Sequence, residues 1–391
     1  MNPIIETFGR RLRLGVVGGG PGSFIGPVHR AAARLDDAYE IVAGVLSSDP
    51  GRALAAAAGL GIPRGYGSWQ DMLGQEAGRE DGIDVVAVMT PNDRHVPVSI
   101  ACLEAGLDVI CDKPLATSLE EALALLRKVD ETGLVFCLTH NYSAHPMVRE
   151  AREMVRRGAI GEVRQIQLEY VQPQRATLVE ADRRKGDWHF DPARLGPSLV
   201  LGDIGSHAHH LGSYVAGQEV REVMAEVLAV VPGRSSHDTA RALLRYADGA
   251  RGGMWVTQAA PGAEHGLSFR IFGSEGGLEW RHEQPNHLLH RRLDDHPVLM
   301  TRRIDGLLSP AATRSARTEI GHPEGYLEAF ATLYREAAEA IVARRAGRPV
   351  EPAALPFPSA RDGVMGMAFI EACLESDRRG CWVPLRPLAR A

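Results

Sequence analysis

The sequence contains no apolar run approaching the ~18 residues that a membrane helix needs. It also has no basic excess: the formal net charge is -5, which leaves no electrostatic footprint for nucleic acid. Cysteine is scarce. The five, at positions 102, 111, 137, 373 and 381, are odd in number and include no close metal-type pair. They read as reduced thiols of a cytoplasmic protein. Internal repeats and low-complexity segments are missing as well. Arg10-Arg11 is the one export-like feature, but Leu12–Val17 is short, carries Arg13 and runs into glycine. It therefore reads as a basic lead-in to a strand, with no apolar core or cleavage site.

What is present is ordinary globular material, 45% hydrophobic and 24% charged. At 391 residues the chain exceeds the ~250–300 at which one core stops growing, so two domains are expected.

Apolar, β-branched stretches at Arg13–Val17, Glu40–Leu46, Val85–Met89, Asp108–Cys111 and Val135–Thr139 read as strands. Helical patterns at Val28–Leu35, Val96–Ala105 and Ser118–Glu131 fall between them. In the last of these, Ser118 and Glu121 have capping-box spacing. This alternation predicts a parallel, doubly wound sheet. The pattern then changes. After a helix at Met147–Arg157, strands are expected at Val163–Val171, Val220–Val230, Ala240–Tyr246, Gly252–Thr257 and Leu267–Phe272. With few helices between them they predict an open, largely antiparallel sheet. Arg281–Thr318 is polar and carries no clear pattern, and Tyr326–Ala343 and Ala360–Ser376 read as helices. The expected fold is α/β, with an N-terminal Rossmann domain over 1–143 and a C-terminal α+β domain over 144–391.

The first strand runs into Gly18-Gly19-Gly20-Pro21-Gly22-Ser23-Phe24-Ile25-Gly26. A strand, a glycine turn and a helix cradle a dinucleotide: the backbone can approach the pyrophosphate, and the helix N-terminus supplies donors. Three extra residues separate Gly20 from Gly26 relative to a plain G-x-G-x-x-G spacing. After the second strand an acid would hold the ribose of NAD and repel the phosphate of NADP. Ser47 stands there, followed by Ser48, and Arg52 lies close enough to reach a phosphate, while Asp49 pulls the other way. The expectation is NAD or NADP, leaning to NADP or dual use.

Four segments together resemble the Gfo/Idh/MocA oxidoreductases, the relatives of glucose–fructose oxidoreductase and inositol dehydrogenase. They are the loop running to Gly26-Pro27-Val28-His29, Thr90-Pro91-Asn92-Asp93-Arg94-His95, Cys111-Asp112-Lys113-Pro114-Leu115-Ala116, and Gly202-Asp203-Ile204-Gly205-Ser206-His207. The resemblance covers nearly the whole chain. The family usually has Glu-Lys-Pro where this chain has Asp112-Lys113-Pro114. The resemblance implies cofactor contacts from Gly18, Gly20, Phe24, Ile25, Ser47, Ser48, Arg52, Thr90, Pro91, Asn92, His95, Asp112, Lys113 and Asn141.

Oxidising a secondary alcohol needs a base near the oxygen and a cation to stabilise the developing alkoxide. Lys113 follows a short strand and should sit at the carboxyl edge of the sheet, where ligands bind. The plainer alternative is a surface turn. Asp203 and His207 are four apart and share a helical face. His207 is the candidate base, since imidazole titrates nearest neutrality, and Asp203 orients the substrate or tunes the imidazole. His209 and His210 add a metal-like look, but no further ligand cluster accompanies them, so no metal is expected. Tyr142, Trp188, Asp191, His210, His322 and Tyr326 are the expected substrate contacts, with core packing or a helix start as the bland alternatives.

The resemblance implies hydride transfer between the cofactor and a secondary hydroxyl of a sugar, glycoside or cyclitol. The alternatives are an NAD-dependent glycoside hydrolase acting by transient oxidation, and a non-catalytic dinucleotide sensor. The sheet face expected in the second domain lacks helices to cover it, and relatives pair through that sheet, so a homodimer or homotetramer is expected.

Overall fold

Strands whose side chains are apolar on both faces can only lie inside a sheet covered by helices on either side. Such strands make up the body of the first sheet, β1 (Leu12–Gly18), β2 (Tyr39–Val45), β4 (Val85–Met89), β5 (Asp108–Cys111) and β6 (Phe136–Leu138), and the two-residue, part-exposed β3 (Arg64–Gly65) lies at its edge. All pairings are parallel, in the order β3-β2-β1-β4-β5-β6. The order reverses between β1 and β4, and ligands of such sheets bind beyond the carboxyl ends of the strands at that point. The computed structural model describes residues 2–177, 188–348 and 356–386.

By packing, the chain forms two compact units. The first comprises Met1–Ala116, Glu120–Asn141 and Tyr326–Val364, so the chain returns to it after residue 143. The reason is visible in the returning helix Tyr326–Arg345. It packs along the helix Ile25–Leu35, and its last turn pairs Arg344 with Asp108 (2.8 Å) and Arg345 with Asp84. Arg10 reaches Asp84 as well, at 2.6 Å, and Arg11 pairs with Asp37 at 2.8 Å. The two arginines that resembled an export signal are thus ion-pair partners of this unit.

The second unit comprises Thr117–Leu119, Tyr142–Gly325 and Met365–Ala391. Its strands are β7 (Val163–Val171), β8 (Val220–Leu228), β9 (Thr239–Tyr246), β10 (Arg251–Thr257), β11 (Gly266–Gly273), β12 (Gly276–Arg281), β13 (His287–Arg292), β14 (Val298–Thr301) and β15 (Val383–Pro384). They form a nine-stranded sheet in the order β14-β13-β12-β11-β7-β10-β9-β8-β15. Every pairing is antiparallel except that of β7 with β10. The unpatterned stretch after Arg281 supplies β13, β14 and the short helix Pro310–Ser315. It escaped assignment because Leu288 is the only fully buried side chain of β13, whereas Arg291 and Arg292 at its end are exposed.

The helix Ser206–Ala216 lies on β7. Gly212 makes that close approach possible, because a Cβ there would stand 2.6 Å from the Leu168 side chain. Among the described residues no helix is long and apolar enough to cross a membrane. The five cysteines form no disulfide, and four of them are buried.

Candidate active site

In the first unit the glycine loop closes tightly over the ends of β1 and β2. A Cβ on Gly20 would stand 2.0 Å from the carbonyl oxygen of Leu46, so no side chain fits there. The three extra residues are taken up by a turn in which the Ser23 amide donates to the Gly20 carbonyl (3.0 Å) and the Ser23 hydroxyl accepts from the Gly26 amide (3.1 Å). The helix can then start at Ile25. Ser23 was not singled out in the sequence, although a serine just before a helix is a known cap signal. Arg30 reaches back to the Gly19 carbonyl at 2.6 Å and ties the loop to its helix. Phe24 projects from the loop with 78% of its surface exposed, and Tyr326 lies beside it with ring centroids 6.4 Å apart.

Beyond β2, Asp49 caps the helix Pro50–Gly59 by accepting from the Arg52 amide at 2.8 Å. The Arg52 guanidinium lies 3.7 Å from the same carboxylate. Ser47 accepts from the Asp49 amide at 3.1 Å. Asp49, the acid nearest the position that selects NAD, is thus engaged in a cap and shared with a cation.

Thr90, Pro91 and Asn92 follow β4, and Asp112 and Lys113 follow β5. The Lys113–Pro114 peptide is cis. Asp112 Oδ1 accepts from the Lys113 amide (2.9 Å) and the Thr139 hydroxyl (2.8 Å). Burial opposes the Asp112 charge, but His29, Lys113 and His95 outweigh it and hold the carboxyl at about 2. His95 is the next of the expected cofactor contacts. It is buried, with Nδ1 2.7 Å from the Pro114 carbonyl and Nε2 3.0 Å from the Thr90 carbonyl, and its neutral ring donates to one of the two at a time. Burial lowers its pKa despite the nearby Asp112 charge. Its ring joins the turn after β4 to the turn after β5.

These residues fit a dinucleotide. The loop approaches as closely as the motif requires, and two buried polar atoms among the expected contacts, Thr90 Oγ1 and Asn141 Nδ2, have no hydrogen-bond partner among the described residues. Such atoms are costly unless a ligand or solvent satisfies them.

In the second unit, Asp203 lies in a π-helical turn, Leu201–Gly205, that leads into the α-helix Ser206–Ala216 carrying His207. Wide turns of this kind recur at functional sites. Asp203 Oδ2 accepts from Gln258 Nε2 at 2.6 Å. Tyr142 sets its ring edge-on to His207, centroids 4.7 Å apart. The Tyr142 and Tyr170 hydroxyls and His265 Nε2 lie 2.7–2.8 Å from one another, and Gln172 Nε2 is 3.0 Å from His265 Nδ1. Burial raises the Tyr142 pKa, and the Asp203 charge adds to the shift. Burial lowers the His265 pKa against the pull of Glu283 and Asp203. Tyr170, His265, Gln172 and Gln258 were missed in the sequence because no motif marks them.

The other expected substrate contacts are more scattered. His210 stacks on Tyr214 (5.8 Å) and His209 on Phe369 (4.4 Å). Trp188 packs on Leu195 and Leu199, and Asp191 caps the short helix that follows. His322 is exposed, while the nearby Glu324 is buried and takes the Arg317 amide (2.7 Å), the Thr318 hydroxyl (2.9 Å) and Arg302 (3.1 Å). Tyr326 begins the returning helix of the first unit. Among the described residues no group of three or more His, Cys, Asp or Glu is placed to hold a metal ion.

Sheet order, glycine loop and the Asp-Lys-Pro turn define a dinucleotide-binding Rossmann domain, followed in the chain by a domain built on a large mixed sheet. Residues 12–140 match the oxidoreductase family with NAD-binding Rossmann fold, and residues 148–279 match the GFO/IDH/MocA C-terminal domain. The chain belongs to the GFO/IDH/MocA oxidoreductase family. It is 32% identical to the uncharacterized oxidoreductase YfiI of Bacillus subtilis (strain 168), over 96% of this chain and 97% of that one. Among solved structures it resembles an inositol dehydrogenase homolog from Azotobacter vinelandii complexed with NADH and myo-inositol. That match has a TM-score of 0.87 and 35% identity, covering 96% of this chain and 98% of the other. It also resembles levoglucosan dehydrogenase in complex with NADH and levoglucosan, with a TM-score of 0.83 and 26% identity over 97% and 100% of the two chains. The protein is an NAD-binding oxidoreductase.

Proposed function

We propose that this oxidoreductase transfers hydride between a nicotinamide dinucleotide and a ring secondary hydroxyl of a cyclitol, sugar or glycoside. The observation that carries the reading is that the second unit holds the Asp203/His207 turn, backed by Gln258 and Tyr142, in a chain whose first unit has a dinucleotide loop. The likeness to proteins crystallised with myo-inositol and levoglucosan supports the substrate class.

In this reading Gly18, Gly20, Phe24, Ile25, Ser47, Ser48, Arg52, Thr90, Pro91, Asn92, His95, Asp112 and Asn141 hold the dinucleotide, which accepts the hydride when bound. His207 takes the hydroxyl proton. Asp203 orients the substrate hydroxyl, and Lys113 stabilises the developing negative charge. Tyr142, Trp188, Asp191, His210, His322 and Tyr326 are substrate contacts in the same proposal, of which Tyr142 has the firmest support through its contact with His207.

Both NAD and NADP are accepted, because Asp49 is engaged as a cap and Arg52, 77% exposed on its side chain, can meet a 2′-phosphate. The enzyme works in the cytoplasm as a homodimer or homotetramer. Leu243 and Met224, neighbours across β9 and β8, are exposed apolar side chains that an oligomer can cover. Light scattering giving the 42.3 kDa of one chain would count against that assembly.

The test is a panel of inositols, sugars and glycosides followed by nicotinamide absorbance with each cofactor. Accumulation of reduced cofactor is expected. Release of a leaving group without net reduction would move the protein to transient-oxidation glycoside hydrolysis.

A further inference from the structure

Lys113 is the cation of the proposed chemistry, and its setting within the first unit extends to a histidine that the reaction does not use. His29, in the helix after the glycine loop, is 1% exposed. Its ring packs against Phe330 (5.2 Å) and edge-on to Tyr334 (5.8 Å). Nδ1 lies 2.8 Å from the Tyr334 hydroxyl. Among the described residues Nε2 has no hydrogen-bond partner, and it faces Asp112 Oδ1 at 4.0 Å, a through-space approach too long for a hydrogen bond.

The Asp112 carboxylate, held at about 2, is ionised throughout the neutral range. An anion facing Nε2 favours the tautomer that carries its proton there. Nδ1 is then a lone pair, so the Tyr334 hydroxyl must be the donor in that contact. The Tyr334 carbonyl in turn accepts from the Tyr39 hydroxyl at 2.7 Å, which anchors this part of the helix. The chain of contacts runs from Tyr334 through His29 to Asp112, whose Oδ1 also accepts from the Thr139 hydroxyl and the Lys113 amide.

We propose that His29, oriented by Tyr334, is a positioning residue for Lys113: it fixes the Asp112 carboxylate that receives the Lys113 amide. This rests on the role assigned to Lys113 above.

The experiment has two arms. In protein labelled with 15N at histidine, the His29 resonances, identified by their loss in His29→Gln, should show the Nε2–H tautomer, and Asp112→Asn should weaken that preference. This arm needs no substrate, so it remains informative if the polyol reading fails. In the second arm, His29→Phe keeps the ring and removes both nitrogens. With a substrate from the panel its kcat should fall roughly tenfold to a hundredfold, the scale of a small misplacement at a reacting centre. The calorimetric NAD affinity should stay within about twofold, well under one decade of the 1.4 kcal/mol scale. His29→Gln, which keeps a donor near Nε2, should recover most of the loss. His29→Phe combined with Asp112→Asn should be no worse than the poorer single variant, since both act through one link. An Nδ1–H tautomer in the wild type, an unchanged kcat in folded His29→Phe, or losses that multiply in the double variant would each overturn the proposal.

Discussion

Gln258 donates its side-chain amide to Asp203 across 2.6 Å, joining the end of β10 to the π-helical turn that precedes His207. Gln258 is itself buried, so the bond is shielded from solvent. Removing a hydrogen bond to a charged group costs about 1.5–3 kcal/mol. Gln258→Leu should therefore lower kcat/KM for the polyol by about tenfold or more, at 1.36 kcal/mol per decade. Steady-state kinetics check this, and an unchanged value would remove Asp203 from the reaction.

Gly20→Val should abolish dinucleotide binding. The added Cβ meets the Leu46 carbonyl at 2.0 Å, and backbone cannot yield as a flexible side-chain tip can. Calorimetric titration of the folded variant with NAD and NADP is the measurement. Retained affinity for either would show that the loop does not carry the pyrophosphate.

NAD and NADP should support turnover with comparable kcat/KM. Arg52→Ala should weaken NADP more than NAD, because only NADP has a phosphate for it to meet. A hundredfold preference of the wild type for NAD, about 2.7 kcal/mol at 1.36 kcal/mol per decade, would mean that Asp49 repels the phosphate despite its cap.

Lys113→Ala and His207→Ala should each reduce turnover by about a hundredfold or more, the usual worth of a positioned proton-transfer or charge-stabilising group. Cofactor affinity should change little in either. If His207→Ala kept most of its turnover, the base would have to be sought at Asp203 or Tyr142.

Stability should fall as the pH drops below about 6.5. Burial lowers the His145 pKa to about 3, and burial with its histidine neighbours pushes His282 lower still. In the unfolded chain both titrate near the ordinary 6.5, so between there and pH 3 the unfolded state binds protons that the folded state refuses. Each such histidine makes unfolding more favourable with acid over that window and has no such effect above it. Urea midpoints at pH 7, 6, 5 and 4 should decline, and His145→Phe should flatten the decline. A midpoint independent of pH over this range would contradict the burial of these rings.

In the Rossmann half of the chain the central strands are legible, two of them to the residue, whereas β3 and the helices Pro50–Gly59 and Trp69–Glu76 carry no pattern that marked them. Val85–Met89 and Asp108–Cys111 form strands with the bounds their β-branched runs suggest, because a fully buried parallel strand must be apolar on both faces and its ends are marked by turn residues. The same logic fails at β13 and β14. These lie at one end of the second sheet and combine arginine, histidine and exposed leucine, so they carry no alternating stripe. In the candidate site, motif residues such as Gly20, Lys113, Asp203 and His207 announce themselves by spacing. Tyr170, Gln172, Gln258 and His265 do not, since each is an ordinary strand or loop residue until the sheet brings it beside its partners.

Local pattern alone determined that this chain has a doubly wound sheet with a dinucleotide loop, since strand burial, helix periodicity and glycine turns are properties of a dozen neighbouring residues. Tertiary structure decided what stands behind those motifs. Tyr334 reaches His29 from 305 residues away, and His265 reaches Tyr142 from 123. No periodicity spans such distances. Which donor meets which acceptor there is set by how helices and strands pack, and packing selects among many polar residues that look equivalent along the chain.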